Sequence, residues 1–164
     1  MRDYVWGTAA KGKSMSGDSD LIKLYSARIL ALAADIPHTD RLSAPDATVK
    51  KRSPLCGSTI TVDVAVKDGR IADFGQEVKA CALGQAAASV VGSAVIGATR
   101  EQIETARDQL RAMLKEGAPP PAAPFDGLDV LLPARDYKNR HASIMLALEA
   151  TAEAMGKAEQ AHCA

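Results

Sequence analysis

Two cysteines flank a predicted β-hairpin and are the first candidates for chemistry in this chain. Cys56 lies in SPLCGS directly before the first strand, and Cys81 lies in VKACALGQ directly after the second. Because an antiparallel hairpin brings its two open ends together, both thiols should lie at the end opposite the Asp68-Gly69 turn. Paired thiols there suit metal binding or sulfur handling, but two separated cysteines are equally typical of small buried hydrophobic residues.

A histidine of the last predicted helix is the third candidate ligand. His141 shares one face of that helix with Ile144, Met145 and Leu148, which places it on the buried side. A neutral imidazole is a common metal ligand, but a buried histidine can equally hydrogen-bond within the core. The spacing of the residues leaves both roles open.

Two further features are interpreted as surface chemistry. Cys163 lies in a predicted flexible tail, 159–164, and is expected to be an exposed thiol rather than a ligand. The basic run Lys50-Lys51-Arg52 is typical of a solvated loop, with contact to an acidic partner as the alternative.

The hairpin that carries the two cysteines is predicted from alternating residues. Apolar β-branched residues occupy every second position of 60–66, which is typical of a strand with one buried face. Asp68-Gly69 supplies a two-residue turn, and a partner strand follows over 70–78. Gly75, inside the partner strand, is expected to mark a bulge.

A predicted helix and a loop precede the hairpin. The helix begins near Asp20, with Asp18 or Ser19 as the capping residue, and Pro37 stops its continuation. Residues 37–54 are polar and punctuated by prolines, so they are predicted to form a loop that leads to the first cysteine.

Helices are expected to follow the hairpin. A helix of small residues begins after Cys81 and lets a neighbouring backbone approach closely, and the next starts at a Thr99 capping box and ends at Gly117. A short helix with a turn at Pro133 and a last helix over 137–158 complete the order. This order predicts an α+β domain with an antiparallel sheet and helices on one face.

Length and composition are those of one globular domain. The chain has 164 residues, of which 47% are hydrophobic. It is divided into a flexible extension 1–18, a single domain 19–158 and the tail, with Met15 as a possible natural start. Uncharged residues fill 80–99, but small side chains dominate there, which favours a packed helix over a membrane span.

Charge and cysteine usage exclude several classes of protein. Twenty Lys and Arg residues balance 20 Asp and Glu residues, which argues against nucleic-acid binding and against attachment to a membrane surface. Three cysteines are too few for a disulfide framework, and the N-terminal sequence shows no apolar secretion signal. A reducing, cytoplasmic location is therefore expected.

Three short motifs and two longer segments occur in a recognisable order. The motifs are P-x-C-G before the first strand, D-G-R-I in the hairpin and C-A-x-x-Q-A-x-A-S after it. LIKLYSARIL precedes them and RHASIMLALEA follows them, so the pattern runs from about Leu21 to Glu149. Together these segments resemble the iron–sulfur cluster scaffold family, of the IscU, SufU and NifU N-terminal type. The long segment between Cys81 and the last helix is similar to that of the SufU branch.

The resemblance implies a fold, a cargo and partners. The fold is a three-stranded antiparallel sheet with helices packed on one face, of the SufE/NifU-like kind. Three cysteines and an aspartate converge at one end of the sheet and bind iron or a nascent [2Fe–2S] cluster, or zinc in the isolated protein. A cysteine desulfurase supplies sulfur, apo iron–sulfur proteins receive the cluster, and the scaffold is not an enzyme. Cys56 matches the first family cysteine and Cys81 the second.

Two of the four family ligands differ in this chain. Ser58 stands where the family has its aspartate, and Ala142 stands where it has its third cysteine. His141 then matches the histidine of the IscU branch, or the cysteine position itself if the alignment shifts by one residue. The candidate ligands are therefore Cys56, Cys81 and His141. The fourth position is open to water, to a second protomer or to the cysteine of the tail.

Three functions are compatible with these residues. The first is an iron–sulfur cluster assembly scaffold or carrier that accepts sulfur at Cys56 or Cys81. The alternative is a degenerate scaffold homologue that holds no cofactor and acts as a non-catalytic accessory subunit of a larger complex, for example a respiratory one. A zinc-dependent sulfur acceptor, as in the SufU branch, is the third. None of them implies binding to nucleic acid or insertion into a membrane.

Overall fold

The sheet has three antiparallel strands in the order β1-β2-β3, and helices pack on one of its faces. This architecture confirms the predicted fold class. A computed structural model describes residues 24–55 and 57–163, so the predicted extension 1–18, the start of the first predicted helix and Cys56 lie outside the described residues. The elements are α1 (Ala27–Ala34), β1 (Ala47–Arg52), β2 (Thr59–Lys67), β3 (Arg70–Lys79), α2 (Ala82–Ala94), α3 (Arg100–Glu116), two 3₁₀ segments (Asp126–Asp136 and Lys138–Arg140) and α4 (His141–Cys163).

The first strand corrects the prediction of a continuous loop over 37–54. β1 pairs with β2 from Ala47 opposite Val64 to Arg52 opposite Thr59. Its sequence, ATVKKR, hides this role because only one of its six residues is buried. An edge strand can be held by backbone hydrogen bonds without an alternating apolar face. The basic run is therefore part of a strand rather than of a loop.

The predicted hairpin between β2 and β3 is confirmed. Asp68 and Gly69 both have left-handed backbone, with φ of 55° and 75°, which is the conformation of a type I′ turn. The bulge falls at Ala65/Val66 and not at Gly75. Position 75 requires a glycine for a different reason. A Cβ atom there would lie only 2.6 Å from the carbonyl oxygen of Asp40, which packs against this strand.

The opposite face of β2 differs from the expected exposed, polar side of a strand. Asp63 is fully buried there, because the segment from His38 to Asp46 folds over this face. Its carboxylate accepts two hydrogen bonds from Arg41, at 2.6 and 3.1 Å, one from the backbone of Leu42 at 3.0 Å and one from Thr48 at 2.6 Å. This ion pair, between a buried carboxylate and a half-exposed guanidinium, fixes the segment that leads from α1 to β1.

The helix ends follow local signals where those signals are strong. Thr99 and Gln102 form the predicted capping box of α3, and Gly117 ends that helix in a left-handed conformation with φ of 71°. In the first predicted helix, Ser26 caps α1 by accepting from the backbone of Ile29 at 3.3 Å, whereas the predicted capping residues lie outside the described part. No helix of the described residues is long and apolar enough to cross a membrane.

The C-terminal elements correct two predicted boundaries. A 3₁₀ segment replaces the predicted short helix and turn, and α4 begins at His141 rather than four residues earlier. The helix also continues to Cys163, through the segment predicted to be a flexible tail. The sequence of 159–163 contains no proline or glycine that would end the helix. Two side-chain contacts also hold it in place: Arg100 donates to Glu159 at 2.7 Å, and His162 lies 3.3 Å from Asp46.

Candidate functional site

Cys81 occupies the junction between β3 and α2. It is the N-cap residue of α2, with extended backbone and no side-chain capping hydrogen bond. Its thiol is partly buried and is not part of a disulfide. Cysteine binds metals and attacks sulfur through its Sγ atom in the thiolate form.

Two buried hydroxyl groups connect Cys81 to the start of β2 and the start of α4. The Sγ atom of Cys81 lies 3.5 Å from Oγ of Ser143. Ser143 in turn donates a 3.0 Å hydrogen bond to Oγ of Ser58. Ser58, Cys81 and Ser143 come from three separate parts of the chain and meet at one end of the sheet. This end is opposite the hairpin turn, as the sequence predicted for the cysteines.

The loop that contains Cys56 lies at the same end of the sheet. Arg52 of β1 pairs with Thr59 of β2, and Thr59 pairs with Lys79 of β3. The backbone of Ser53 donates to the carbonyl of Ser58 at 2.8 Å, which closes the connection between β1 and β2. Cys56 itself lies outside the described residues, but the residues on both sides of it are held close to the end of β3.

His141 is the first residue of α4 and is buried. Its Nε2 atom lies 3.1 Å from the carbonyl oxygen of Ala134 and 3.0 Å from that of Arg135. Because carbonyl oxygens only accept, Nε2 must carry the proton and donate. Nδ1 is then the atom of a neutral ring that is left to bind a metal.

Cys163 cannot complete the site within one chain. It ends α4, whereas Ser143 stands in the first turn of that helix, and 20 residues of helix span ~30 Å. Of the three sources that the sequence left open for the fourth ligand, the backbone position of Cys163 disfavours the C-terminal cysteine within a single protomer. A flexible tail could have folded back towards Cys81, but residues 159–163 continue the helix instead.

Metal-ligating side chains are sparse around Cys81. Within the described ranges, no three His, Cys, Asp or Glu residues lie close enough together to hold a metal ion. Ala142 offers no donor atom, and the hydroxyls of Ser58 and Ser143 are weak ligands at neutral pH. Thiolates are therefore the main donors for metal binding at this end of the sheet, with Nδ1 of His141 as the other candidate.

Ser143 is the functional candidate that sequence reasoning missed. It is buried on the side of α4 that faces Cys81, next to the position of the missing family cysteine. Its neighbour Gly84 explains the close approach of α2 and α4, because a Cβ atom on Gly84 would lie only 2.5 Å from Oγ of Ser143. The predicted close packing of the small-residue helix is confirmed at this contact.

Replacing Gly84 with alanine is expected to lower the free energy of unfolding by about 1–3 kcal/mol, because the added methyl group overpacks the contact with Ser143. The helix propensity of alanine offsets only about 0.5–1 kcal/mol of this loss. Urea denaturation measures the change. Gly156→Ala in α4 is the matched control and should be neutral or stabilising, since its Cβ meets only the end of the Arg100 side chain at 3.4 Å. Equal stability of the two variants would contradict this account.

At one end of its three-stranded sheet, this α+β domain brings together a helix-capping cysteine and the connection that contains the other hairpin cysteine. The chain belongs to the NifU-like N terminal domain family, whose model matches residues 24–144. The family comprises scaffolds of iron–sulfur cluster assembly. The comparison with curated proteins found no match.

Solved structures support this assignment. The N-terminal part of a nitrogen-fixing NifU-like protein from Brucella abortus is 43% identical, with a TM-score of 0.84 over 86% of this chain and 98% of that one. A candidate iron–sulfur cluster assembly scaffold protein for the SUF system from Fervidobacterium islandicum AW-1 is 18% identical, which shows the fold alone, with a TM-score of 0.72 over 82% and 98% of the two chains. A hypothetical protein at 26% identity has a TM-score of 0.71 over 82% of this chain and 98% of its own.

Proposed function

We propose that this protein is an iron–sulfur cluster assembly scaffold or carrier that works in a reducing compartment such as the cytoplasm. It accepts sulfur from a cysteine desulfurase, holds iron or a [2Fe–2S] cluster as cargo and passes it to apo iron–sulfur proteins. The observation that carries the proposal is the position of Cys81, which caps α2 at the same end of the sheet as the Cys56 loop. Turnover of a free substrate is not part of this role.

The donor set suits a transient cargo. Thiolates are the usual ligands of iron–sulfur clusters, and four are normally required. This chain offers Cys56 and Cys81, with Nδ1 of His141 as the third candidate ligand. The same soft and borderline donors also accept Zn²⁺. Such an incomplete set holds a cluster weakly, which favours its release to a recipient.

Substituting Cys81 with alanine is expected to abolish cluster formation. Anaerobic reconstitution with ferric iron and sulfide should give the wild type a visible absorption band and bound iron and sulfide, measured after desalting. The Cys81→Ala variant should lose the absorption band and the bound iron and sulfide, because one of the two thiolate ligands is removed. Cys163→Ala is the control and should form the cluster as the wild type does, because position 163 lies ~30 Å along α4 from Ser143. A wild type that stays folded and binds neither iron nor zinc would contradict the proposal.

An accessory role is the second candidate function. Ala142 has no donor atom, Ser143 donates to Ser58, and His141 uses Nε2 to donate to backbone carbonyls. These contacts favour a degenerate scaffold that has kept the fold while losing ligands, and that docks on a larger complex. Purification under native conditions tests this role. A stoichiometric complex that contains no metal at Cys81 would support it, and a free protein that carries a cluster would contradict it.

A further inference from the structure

A groove lies between α3 and the first turns of α4, next to the sheet end that carries Cys81. Its volume is about 550 Å³, within the ~300–1,000 Å³ that is usual for small-molecule sites. Leu114 and Met145 form an apolar part of its lining, and both side chains are almost fully buried. An apolar lining with a few polar groups around it is typical of a ligand site.

Positive charge surrounds this apolar lining. Arg111, Lys115 and Lys138 line the groove together with one carboxylate, that of Glu149. Arg111 donates to Glu149 at 3.1 Å. Across the part of the chain that the structure describes, neither lysine takes part in an ion pair. The groove is therefore complementary in charge to a small ligand that carries carboxylates.

Ala142 also lines the groove, at the position where the resemblance to the family places a cysteine. The next residue, Ser143, lies 3.5 Å from Sγ of Cys81, and successive Cα atoms are only ~3.8 Å apart. A thiol held beside the Ala142 methyl group would thus be within reach of a metal bound by Cys81. The N-terminus of α4 lies at the same point and favours a thiolate.

We infer that this groove binds a low-molecular-weight thiol that carries carboxylates, whose thiolate completes the metal site of Cys81 in place of the missing cysteine. The inference rests on the proposed function, since it supplies a ligand to the same cargo. The carboxylates pair with Lys115 and Lys138. The thiol proton passes to solvent, and its sulfur bonds to the metal without change of oxidation state.

Binding to the groove is tested on the metal-free, reduced full-length chain with S-methylglutathione, which keeps both carboxylates but has no free thiol. Calorimetry should show saturable binding to the wild type. Lys115→Glu/Lys138→Glu should bind at least about tenfold more weakly, because attractive charge contacts become repulsive. Lys50→Glu/Lys67→Glu changes the net charge equally, away from the groove, and should bind as the wild type. No binding to the wild type, or equal weakening in both double variants, would overturn the inference.

The metal step is tested with Co²⁺, because its thiolate charge-transfer absorption increases with the number of bound thiolates. The intensity of this band without added thiol shows whether the protein's own cysteines bind the metal, which tests the proposed function separately. Added glutathione, corrected for a protein-free blank, should increase the band of the wild type but not that of Lys115→Glu/Lys138→Glu. An unchanged band in a wild type that binds both Co²⁺ and S-methylglutathione would overturn the inference and leave the proposed function intact. No band with or without glutathione would overturn both.

Discussion

Replacing Ala142 with cysteine is expected to raise the affinity of the metal-free chain for Zn²⁺ by about 100-fold or more. Even partners that do not bind the metal directly change metal affinity ~10–100-fold, so an added thiolate ligand should do at least as much. Ala142 stands in the first turn of α4 and is only partly buried, so a sulfur atom fits there without displacing the core. Competition titration against a chelator measures the affinity.

The matched control for this gain is Ala94→Cys. Ala94 is also partly buried, but it ends α2, at the opposite end of that helix from Cys81. Over 13 residues of helix the distance is ~20 Å, which is too far for a shared metal ion. The Ala94 variant should therefore bind Zn²⁺ as the wild type. Equal affinities of the Ala142 and Ala94 variants would show that the position of the family cysteine no longer faces the site.

Features that depend on neighbouring residues could be predicted from the sequence. The alternation in β2, the Asp68-Gly69 turn and the capping box at Thr99 are each decided by short-range sterics and hydrogen bonds. The placement of the two cysteines at one sheet end follows from the same hairpin, since antiparallel pairing fixes where its ends lie. For Cys81 the structure confirms that placement.

Features that depend on distant partners could not be predicted in the same way. β1 has little apolar pattern and exists because β2 offers it a backbone edge. Ser143 reaches Ser58 across 85 positions of sequence, so no local signal identifies it. His141 was correctly placed on the buried side, but the carbonyl partners of its ring come from a 3₁₀ segment whose form was not predicted. Tertiary contacts decide all three.

Asp63 is the clearest case of a residue whose role comes from tertiary contacts. Replacing it with asparagine should lower the free energy of unfolding by about 2–3 kcal/mol at pH 7. The single amide oxygen could accept from Thr48 or from the backbone of Leu42 but not from both, because these groups donate to different oxygens of the carboxylate. The NH₂ group would face donors in place of the second oxygen, and the guanidinium of Arg41 would lose its charge partner. The side chain of Arg41 is 45% exposed, so water offsets part of the loss. Urea denaturation measures it, with Asp73→Asn, an exposed carboxylate on β3, as the control.

The pH dependence of stability gives the same ion pair a second, independent test. Burial alone would raise the pKa of Asp63, but hydrogen bonds from Arg41, Thr48 and Leu42 outweigh it and hold the pKa below its ordinary value. The stabilisation from Asp63 is therefore complete above the unfolded-state pKa of ~3.9 and is lost as the pH falls through the lower folded-state pKa. The gap in stability between the wild type and Asp63→Asn should accordingly narrow below pH ~4. A gap that stays constant from pH 7 down to acid unfolding would mean that packing, and not the buried charge, stabilises this face of the sheet.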